Sequence, residues 1–394
     1  MEKTRLNYLD SIRGVAACVV MLHHCWLAST YNFNADIAVA LSSIENVTHY
    51  SLGKLLAGHA AVLTFFVLSG FVLAYSLQKE PMSYAAFAVK RIFRIYPAFV
   101  FVILCSYALH RAIGVRHDVS SDFLRNDVIN PNISYIALAK HLALWGTIDG
   151  NEINGVIWSL VHEIRISAIF PLILLSVIKY RQNAVIYYGV FSLGCTILSL
   201  CTTGRLSAGT GETTLIASLL ATGFFIVFFA AGALLAIERE NVALKIANSP
   251  RWKKIVFFTI VAVCLLKSGH DISNIKVITT DYICGAGAVG IIALALGIQK
   301  FRSVLNHSVP IWLGRISYSL YLVHLPILYM VNQTIGASWS DLRSSAVVIA
   351  LSLFSAELMV RLVEFPSIRL GKKLSASVAG LHAKINNSGE KVGA

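Results

Sequence analysis

The chain has 394 residues, of which 56% are hydrophobic and only 13% charged, and its formal net charge is +13. Soluble domains have about 25% charged residues, so this composition excludes an ordinary soluble domain and predicts an integral membrane protein. The positive charge does not indicate a nucleic-acid partner, because the basic residues collect between apolar segments.

Ten apolar segments are candidates for transmembrane helices and together predict an all-α, polytopic membrane protein. They cover residues 8–30, 54–78, 94–113, 156–179, 184–202, 215–237, 253–267, 277–298, 311–332 and 343–362. A helix that spans a bilayer needs about 20 apolar residues, and the seventh segment is short. The first segment begins like a signal peptide, but Asp10 and Arg13 interrupt it, so a retained span is expected.

The connections between these segments alternate in charge. Every second connection is rich in Lys and Arg, for example around residues 79–94, 239–254 and 369–391, whereas the others are acidic or poor in basic residues. Basic loops remain in the cytoplasm, so we expect ten spans in the cell inner membrane with both termini cytoplasmic. Residues 1–370 would form one transmembrane domain, and residues 371–394 a basic cytoplasmic tail whose composition predicts disorder.

The first segment, NYLDSIRGVAACVVMLHHCWLAST, carries Asp10, Arg13 and His24 in an otherwise apolar helix. Arg13 and His24 are eleven residues apart, so they differ by only about 20° in direction and by roughly 16 Å along the axis. Asp10 falls near the same face and is the expected partner of Arg13. An Arg at bilayer depth costs about 2.5–3.5 kcal/mol on insertion scales, so this stripe predicts a polar site inside the membrane.

Three ionisable side chains are expected in the outer half of the membrane. They are His24, Glu163 in the motif WSLVHEI and His324 in the motif ISYSLYLVHLP. Imidazole has a usual pKa of about 6.5 and can accept a proton at neutral pH, so His24 is a candidate general base that Glu163 would orient. The alternative for His324 is a hydrogen bond to the backbone beside Pro326.

A basic cluster is expected on the inner side of the membrane. Its members and candidate counter-charges are Lys90, Arg91, Arg94, Arg13 and Arg361, with Glu357 and Glu364. Arg91 and Arg94 share a helix face, and arginine binds phosphate through paired hydrogen bonds, so a phosphorylated cytosolic ligand would fit. The alternative is that Arg91 and Arg94 are only topological anchors.

Six motifs, in order from one end of the chain nearly to the other, resemble the membrane-bound acyltransferase-3 family, which includes O-antigen and nodulation-factor acetylases. They are LDSIRGVAA with Arg13 leading to His24, FFVLSGFVL, KRIFRIYP, WSLVHEI, ISYSLYLVHLP and VEFPSIRL. The sequence departs from many members after Glu163, where it reads IRISAIFP in place of aromatic residues. No SGNH-type esterase domain follows the tenth segment, so a stand-alone member is expected.

The resemblance implies that acyl-CoA, usually acetyl-CoA, is the co-substrate and binds from the cytoplasm. It further implies that the acyl group passes to a hydroxyl of an extracytoplasmic or lipid-linked glycan. No metal is expected, because His23 and His24 do not have the spacing of metal ligands. The candidate residues are His24, Glu163 and Asp10 for catalysis; Arg13, Lys90, Arg91 and Arg94 for the donor; and Trp158, Ser159, Tyr318 and His324 for the acceptor. The seven cysteines, which include no CxxC pair, predict neither disulfides nor metal ligands.

The competing prediction is a proton-coupled transporter or a flippase. Ten spans with Arg, His and Glu at membrane depth would also suit a permease, although the chain has no internal repeat. The expected partners are membrane lipid, the acyl donor and the acceptor, and no nucleic acid is expected. The identity of the acceptor, the acyl chain and the oligomeric state stay open.

Overall fold

A computed structural model describes residues 6–37, 57–114, 123–124, 128, 133–143, 153–203, 214–267, 274–335 and 341–392. Within these residues the secondary structure is helical, with no β-strand. The helices are α1 Asn7–Ile37, α2 Gly58–Lys79, α3 Tyr84–Ile113, α4 Tyr135–Ala143, α5 Ile157–Tyr180, α6 Gln182–Thr203, α7 Leu215–Ile237, α8 Arg239–Ala247, α9 Arg251–Leu266, α10 Asn274–Gly297, α11 Gln299–Leu305, α12 Ser308–Thr334, α13 Asp341–Met359 and α14 Phe365–Val392, with a π-helical turn, Val360–Glu364, between the last two. The predicted all-α class is confirmed.

In the described part of the chain, nine helices are long and apolar enough to cross a membrane. They are α1, α2, α3, α5, α6, α7, α10, α12 and the continuous run from α13 into α14. The seventh predicted span corresponds to α9, which has 16 residues and is therefore only about 24 Å long. Whether α9 makes a tenth pass follows from the directions of its neighbours.

Helices α2 and α7 run in the same direction. Phe66 packs on Phe225, with their ring centroids 4.8 Å apart, and one turn later Gly70 lies against the backbone of Phe229. The two helices are therefore parallel. We call the end of the bundle at which α2 begins the upper end and the opposite end the lower end, so α7 descends and finishes at the lower end.

Helix α10 also begins at the upper end, because His59, at the start of α2, lies 2.7 Å from Asp281. The chain must therefore climb back between α7 and α10, and α9 lies in that interval. Its contacts with α10 are antiparallel: Val261 meets Gly290, Cys264 meets Gly287, and the carbonyl of Lys267 accepts from Cys284. Between α7 and α10 the described chain thus crosses the bundle once more, through the short helix α9, which is not one of the nine candidate spans.

Helices α1 and α12 run side by side with their backbones in contact. A Cβ placed on Gly14 would collide with the backbone of Leu313 and Gly314, and one on Gly314 would collide with the backbone of Asp10. Glycine at both positions removes the side chains that would hold the helices apart. The same register brings His24 beside His324, ten residues farther along each helix.

The C-terminal segment differs from its prediction. Residues 371–392, expected to be a disordered tail, continue α14, and the predicted boundary at residue 370 falls inside this helix. One face of α14 packs along α3, where Ser375 Oγ donates a 2.9 Å hydrogen bond to the carbonyl of Ala86 and Gly371 faces Phe93. Composition indicated a polar tail, but small residues on one face of the helix allow it to pack.

Candidate functional site

A cavity of about 120 Å³ lies among α1, α2, α3, α5 and α12. Its charged and phenolic lining consists of Arg13, Arg91, Arg94, Glu163, Tyr318 and Tyr321. Three of the four residues predicted to bind the acyl donor therefore line this cavity. The fourth, Lys90, is absent from this lining and lies 3.7 Å from Glu80, whose side chain is 70% exposed.

Arg91 is fixed by α5. Its guanidinium donates to Glu163 at 3.0 Å and to Ser167 at 2.7 Å, and Ser69 Oγ donates to the same Glu163 oxygen at 3.1 Å. Ser159, Glu163 and Ser167 recur every four residues, so α5 turns one polar stripe towards the cavity. The Nε–H of Arg91 is buried and makes no hydrogen bond with any described residue.

Glu163 is therefore not the partner of His24, and this correction has a geometric cause. Both residues were predicted at a similar depth, but depth does not specify which helices are neighbours. Helix α5 packs on α2, α3, α6 and α7, so Glu163 meets Arg91. Asp10 does not orient His24 either, because it lies fourteen residues earlier on the same helix, about 21 Å away along the axis.

Arg94 is held by a buried carboxylate. Glu364, on the π-helical turn, is fully buried and receives hydrogen bonds of 2.7 Å from both Arg94 and Ser319. Tyr318 adds its ring face 6.0 Å from the Arg94 guanidinium and donates its hydroxyl to the carbonyl of Ile95. Glu364 is thus confirmed as a counter-charge, and Tyr318, expected to bind the acceptor, lies beside the arginines.

Two other predicted charges have separate partners. Asp10 lies 3.5 Å from Arg13, as expected, and both side chains are largely shielded. Glu357 does not reach Arg94; it accepts from Arg315 at 2.8 Å and from Arg361 at 2.6 Å. Arg361 and Glu357 therefore form a second ion-pair cluster, and neither residue lines the cavity.

His24 and His324 form a hydrogen-bonded pair. His24 Nδ1 lies 2.8 Å from His324 Nε2, and His324 Nδ1 lies 3.0 Å from the carbonyl oxygen of Leu320. A carbonyl can only accept, so the proton of a neutral His324 sits on Nδ1 and its Nε2 is an acceptor. His24 must then donate from Nδ1, which leaves His24 Nε2 as a nitrogen with a free lone pair.

The surroundings keep this pair in place. The two rings are nearly parallel, with centroids 5.1 Å apart, and Phe123 stacks on His24 at 5.3 Å. His324 is buried, with 1% of its surface exposed, whereas His24 is only partly buried. His324 was predicted either to join a polar site with His24 or to bond the backbone. It does both, because Nδ1 bonds the backbone and Nε2 contacts His24.

Tyr321 lies between the cavity and the histidine pair, and sequence reasoning did not select it. Its ring is 5.9 Å from that of His324 and 5.5 Å from that of Phe65. Its hydroxyl lies 2.8 Å from Ser159 Oγ, so Ser159, an expected acceptor residue, lies at the boundary between the two regions. The missed signal was spacing, since Tyr321 and His324 are three residues apart on one helix face.

Trp158 lies on a different face of α5, away from the cavity lining. Its ring is 6.3 Å from that of His59, and His59 is 2.7 Å from Asp281. One and two turns farther along this face are His162, 2.9 Å from Thr222 Oγ1, and Arg165, which donates to Ser218. Neither His59 nor Asp281 belongs to the predicted site.

A model of the acyltransferase-3 family, described as an acyltransferase domain, matches residues 6–359. The chain belongs to this family. The matched region contains the whole cavity lining and the histidine pair. The described chain is accordingly an acyltransferase-3 domain with multiple helices long and apolar enough to span a membrane.

Two curated relatives of the chain carry acetyl-transfer names. The chain is 28% identical over 160 residues to an O-acetyl transferase of Shigella phage Sf6, covering 40% of this chain and 42% of the relative. It is 26% identical over 364 residues to O-acetyltransferase OatA of Staphylococcus aureus, covering 84% of this chain and 56% of the relative. The chain thus spans about half the length of these relatives. No solved structure matches it.

Proposed function

We propose that this acyltransferase moves an acyl group, chiefly acetyl, from cytoplasmic acyl-CoA to a hydroxyl of an extracytoplasmic or lipid-linked glycan. The observation that carries the proposal is the proton arrangement of the histidine pair. His24 keeps a lone pair on Nε2 because its Nδ1–H is committed to His324. A positioned base of this kind contributes about 10²–10⁴-fold to a transfer reaction.

In the proposed step, His24 Nε2 removes the proton of the acceptor hydroxyl. The oxygen attacks the thioester carbonyl, the new C–O bond forms, and the C–S bond breaks as the tetrahedral intermediate collapses. The thiolate of CoA leaves and takes the proton from the imidazolium. The balanced outcome is one ester and one thiol, and His24 returns to its starting state.

The arginine cavity supports the donor half of the proposal. Arg13, Arg91 and Arg94 line it, and each guanidinium has five N–H donors, more than its carboxylate partner uses. The buried Nε–H of Arg91 is one donor that the described chain leaves unmet. Phosphate groups of CoA would accept such hydrogen bonds through bidentate geometry.

The proposed orientation follows from the basic loops. The connections at the lower end include residues 79–94 and 239–254, which are rich in Lys and Arg, so the lower end would face the cytoplasm of the cell in the inner membrane. Arg13 lies towards that end and His24 towards the upper end, roughly 16 Å apart along α1. An extended thioester arm could then lead from the arginines to the imidazole, past Tyr321.

The test uses the full chain in phospholipid vesicles, with labelled acetyl-CoA and a saccharide acceptor. His24→Ala should reduce transfer at least 100-fold while the protein still inserts. His110→Gln is the matched control, since His110 is a buried imidazole bonded to the backbone at Ser106 and outside the site; it should retain activity. Transfer by His24→Ala at a rate near that of the wild type would refute the mechanism.

A transporter or flippase would behave differently in the same assay. Such a protein would move its cargo without changing the cargo's mass. Mass spectrometry of the saccharide before and after incubation separates the two functions, because O-acetylation adds one acetyl group per modified hydroxyl. An unmodified saccharide that accumulates in the vesicle lumen would favour transport.

A further inference from the structure

A second polar cluster lies at the upper end of the bundle, outside both the arginine cavity and the histidine pair. It joins three helices: His59 in the first turn of α2, Trp158 in the first turn of α5 and Asp281 in the third turn of α10. His59 Nε2 lies 2.7 Å from Asp281 Oδ1, and the Asp281 side chain is only 2% exposed. The Trp158 ring lies 6.3 Å from the His59 ring with an interplanar angle of 15°.

Asp281 is unusual because one of its oxygens has no partner. Oδ2 is buried and makes no hydrogen bond with any described residue. The equally buried Glu364 has both oxygens bonded, one by Arg94 and one by Ser319. Burying an unsatisfied carboxylate oxygen is costly, so the position is best explained by a hydrogen-bond donor that arrives with a ligand.

His59 completes a site that accepts hydrogen bonds. Its side chain is 41% exposed although its carboxylate partner is buried, so the pair presents the imidazole outwards. Nε2 of the imidazole faces the Asp281 carboxylate and so carries the ring proton, which leaves Nδ1 of the neutral ring to accept a hydrogen bond from a hydroxyl group. A phosphate or another anion would instead be repelled by Asp281.

Trp158 supplies an apolar surface next to these polar groups. Its ring is held by Phe225 at 5.9 Å and by His162 at 6.1 Å, so it is a fixed wall of the cluster. A ligand that suits all three side chains has several hydroxyl donors and a face of C–H groups. Saccharides have both features.

We infer that His59, Asp281 and Trp158 form a recognition subsite for the saccharide acceptor. The inference rests on the proposed function, and it adds where the part of the acceptor that does not react is held. His23 links the subsite to the reaction centre: its ring lies 6.1 Å from that of His24 and packs against Gly58, next to His59. A saccharide held at Asp281 could thus present another hydroxyl to His24.

The first experiment measures kinetics on the full chain in phospholipid vesicles, with labelled acetyl-CoA and methyl glycosides of glucose, galactose and rhamnose. Asp281→Asn keeps the side-chain shape and removes the charge. It should raise the acceptor KM by about 10- to 100-fold, as expected for a lost hydrogen bond to a charged group, and leave the acetyl-CoA KM unchanged. Thr280→Val, on the adjacent residue of α10, is the matched control and should change neither constant.

Trp158→Leu tests the same subsite independently should Asp281→Asn fail to insert, and it should likewise raise only the acceptor KM. An unchanged acceptor KM in an inserted Asp281→Asn or Trp158→Leu protein would overturn the subsite. So would a methyl glucosaminide that binds more than tenfold tighter than the glucoside, because the cluster would then be a site for cations.

A second experiment measures binding without turnover, by saturation-transfer NMR of the same glycosides against the wild type and Asp281→Asn. Binding that needs Asp281 in a wild-type protein that transfers no acetyl group would refute the proposed function and keep the subsite. Transfer by the wild type, combined with equal glycoside binding by both proteins, would keep the function and refute the subsite.

Discussion

The proton arrangement of the histidine pair predicts a specific difference between its two members. His324→Leu removes the acceptor of the His24 Nδ1–H bond, which is 2.8 Å long, but leaves His24 in place. A net hydrogen bond of this kind contributes about 0.5–1.5 kcal/mol, which corresponds to roughly 2- to 12-fold in an equilibrium constant. We therefore expect His324→Leu to lower kcat by about this factor, against at least 100-fold for His24→Ala.

His324→Gln supplies the control for this comparison. A glutamine carbonyl can accept the Nδ1–H of His24, so this variant should recover part of the activity that His324→Leu loses. The assay is acetyl transfer from labelled acetyl-CoA in vesicles, with kcat and both KM values normalised to inserted protein. The double variant His24→Ala/His324→Leu should be no slower than His24→Ala, because residues that act as one unit are not additive.

Two results would refute this reasoning. If His324→Leu lost as much activity as His24→Ala, then His324 would take part in the chemistry itself. If His324→Leu had the activity of the wild type, the pair would not govern the state of His24. Either result would require a different assignment of the protons.

Three further predictions concern the acyl-donor site, Tyr321 and the packing of α1 on α12. Arg91→Ala should raise the acetyl-CoA KM at least tenfold, whereas Lys90→Ala should leave it unchanged, because exposed ion pairs contribute only about 0–1 kcal/mol and Lys90 is absent from the cavity lining. Tyr321→Phe keeps the ring between the cavity and His324 but removes the hydroxyl's hydrogen bonds to Ser159 and to the carbonyl of Val156. If these bonds limit the access of water to a bound thioester, the variant should accelerate acetyl-CoA hydrolysis without acceptor; equal hydrolysis would refute this role. Gly314→Val should lower the thermal midpoint in detergent or prevent insertion, since even one added carbon meets the backbone of Asp10; an unchanged midpoint would contradict the close packing of α1 and α12.

The sequence predicted the parts of the fold that depend on one helix at a time. Apolar length located nearly every span, and the stripe of Asp10, Arg13 and His24 follows from helical periodicity alone. The basic loops all fall on one side of the membrane only if the short α9 is counted as a span. The parallel directions of α7 and α10 agree with that count. These features are local, or they follow from topology, so no packing information was needed.

The remaining parts of the site depend on which helices are neighbours. Glu163 pairs with Arg91 because α5 lies against α3, and no pattern within α5 indicates this. Asp281 meets His59 across 222 residues of sequence, and no pattern around either residue indicates the other as its partner. Tyr321 could have been selected from the sequence, since it precedes His324 by one turn, but a tyrosine in an apolar helix is more often a core residue.

The same proton arrangement bears on whether the acyl group passes directly or through His24. If the acyl group first bonded His24 Nε2, the proton on Nδ1 would have to leave for the acylimidazole to be neutral, and His324 Nε2 is the group placed to take it. The indirect route therefore uses both nitrogens of His24 and charges a buried imidazole, which is costly. Direct transfer uses only the lone pair on His24 Nε2, which accepts the proton of the acceptor hydroxyl and then gives it to the thiolate. Labelled acetyl-CoA without acceptor should accordingly leave no label on the protein, whereas label that His24→Ala abolishes would establish the two-step route.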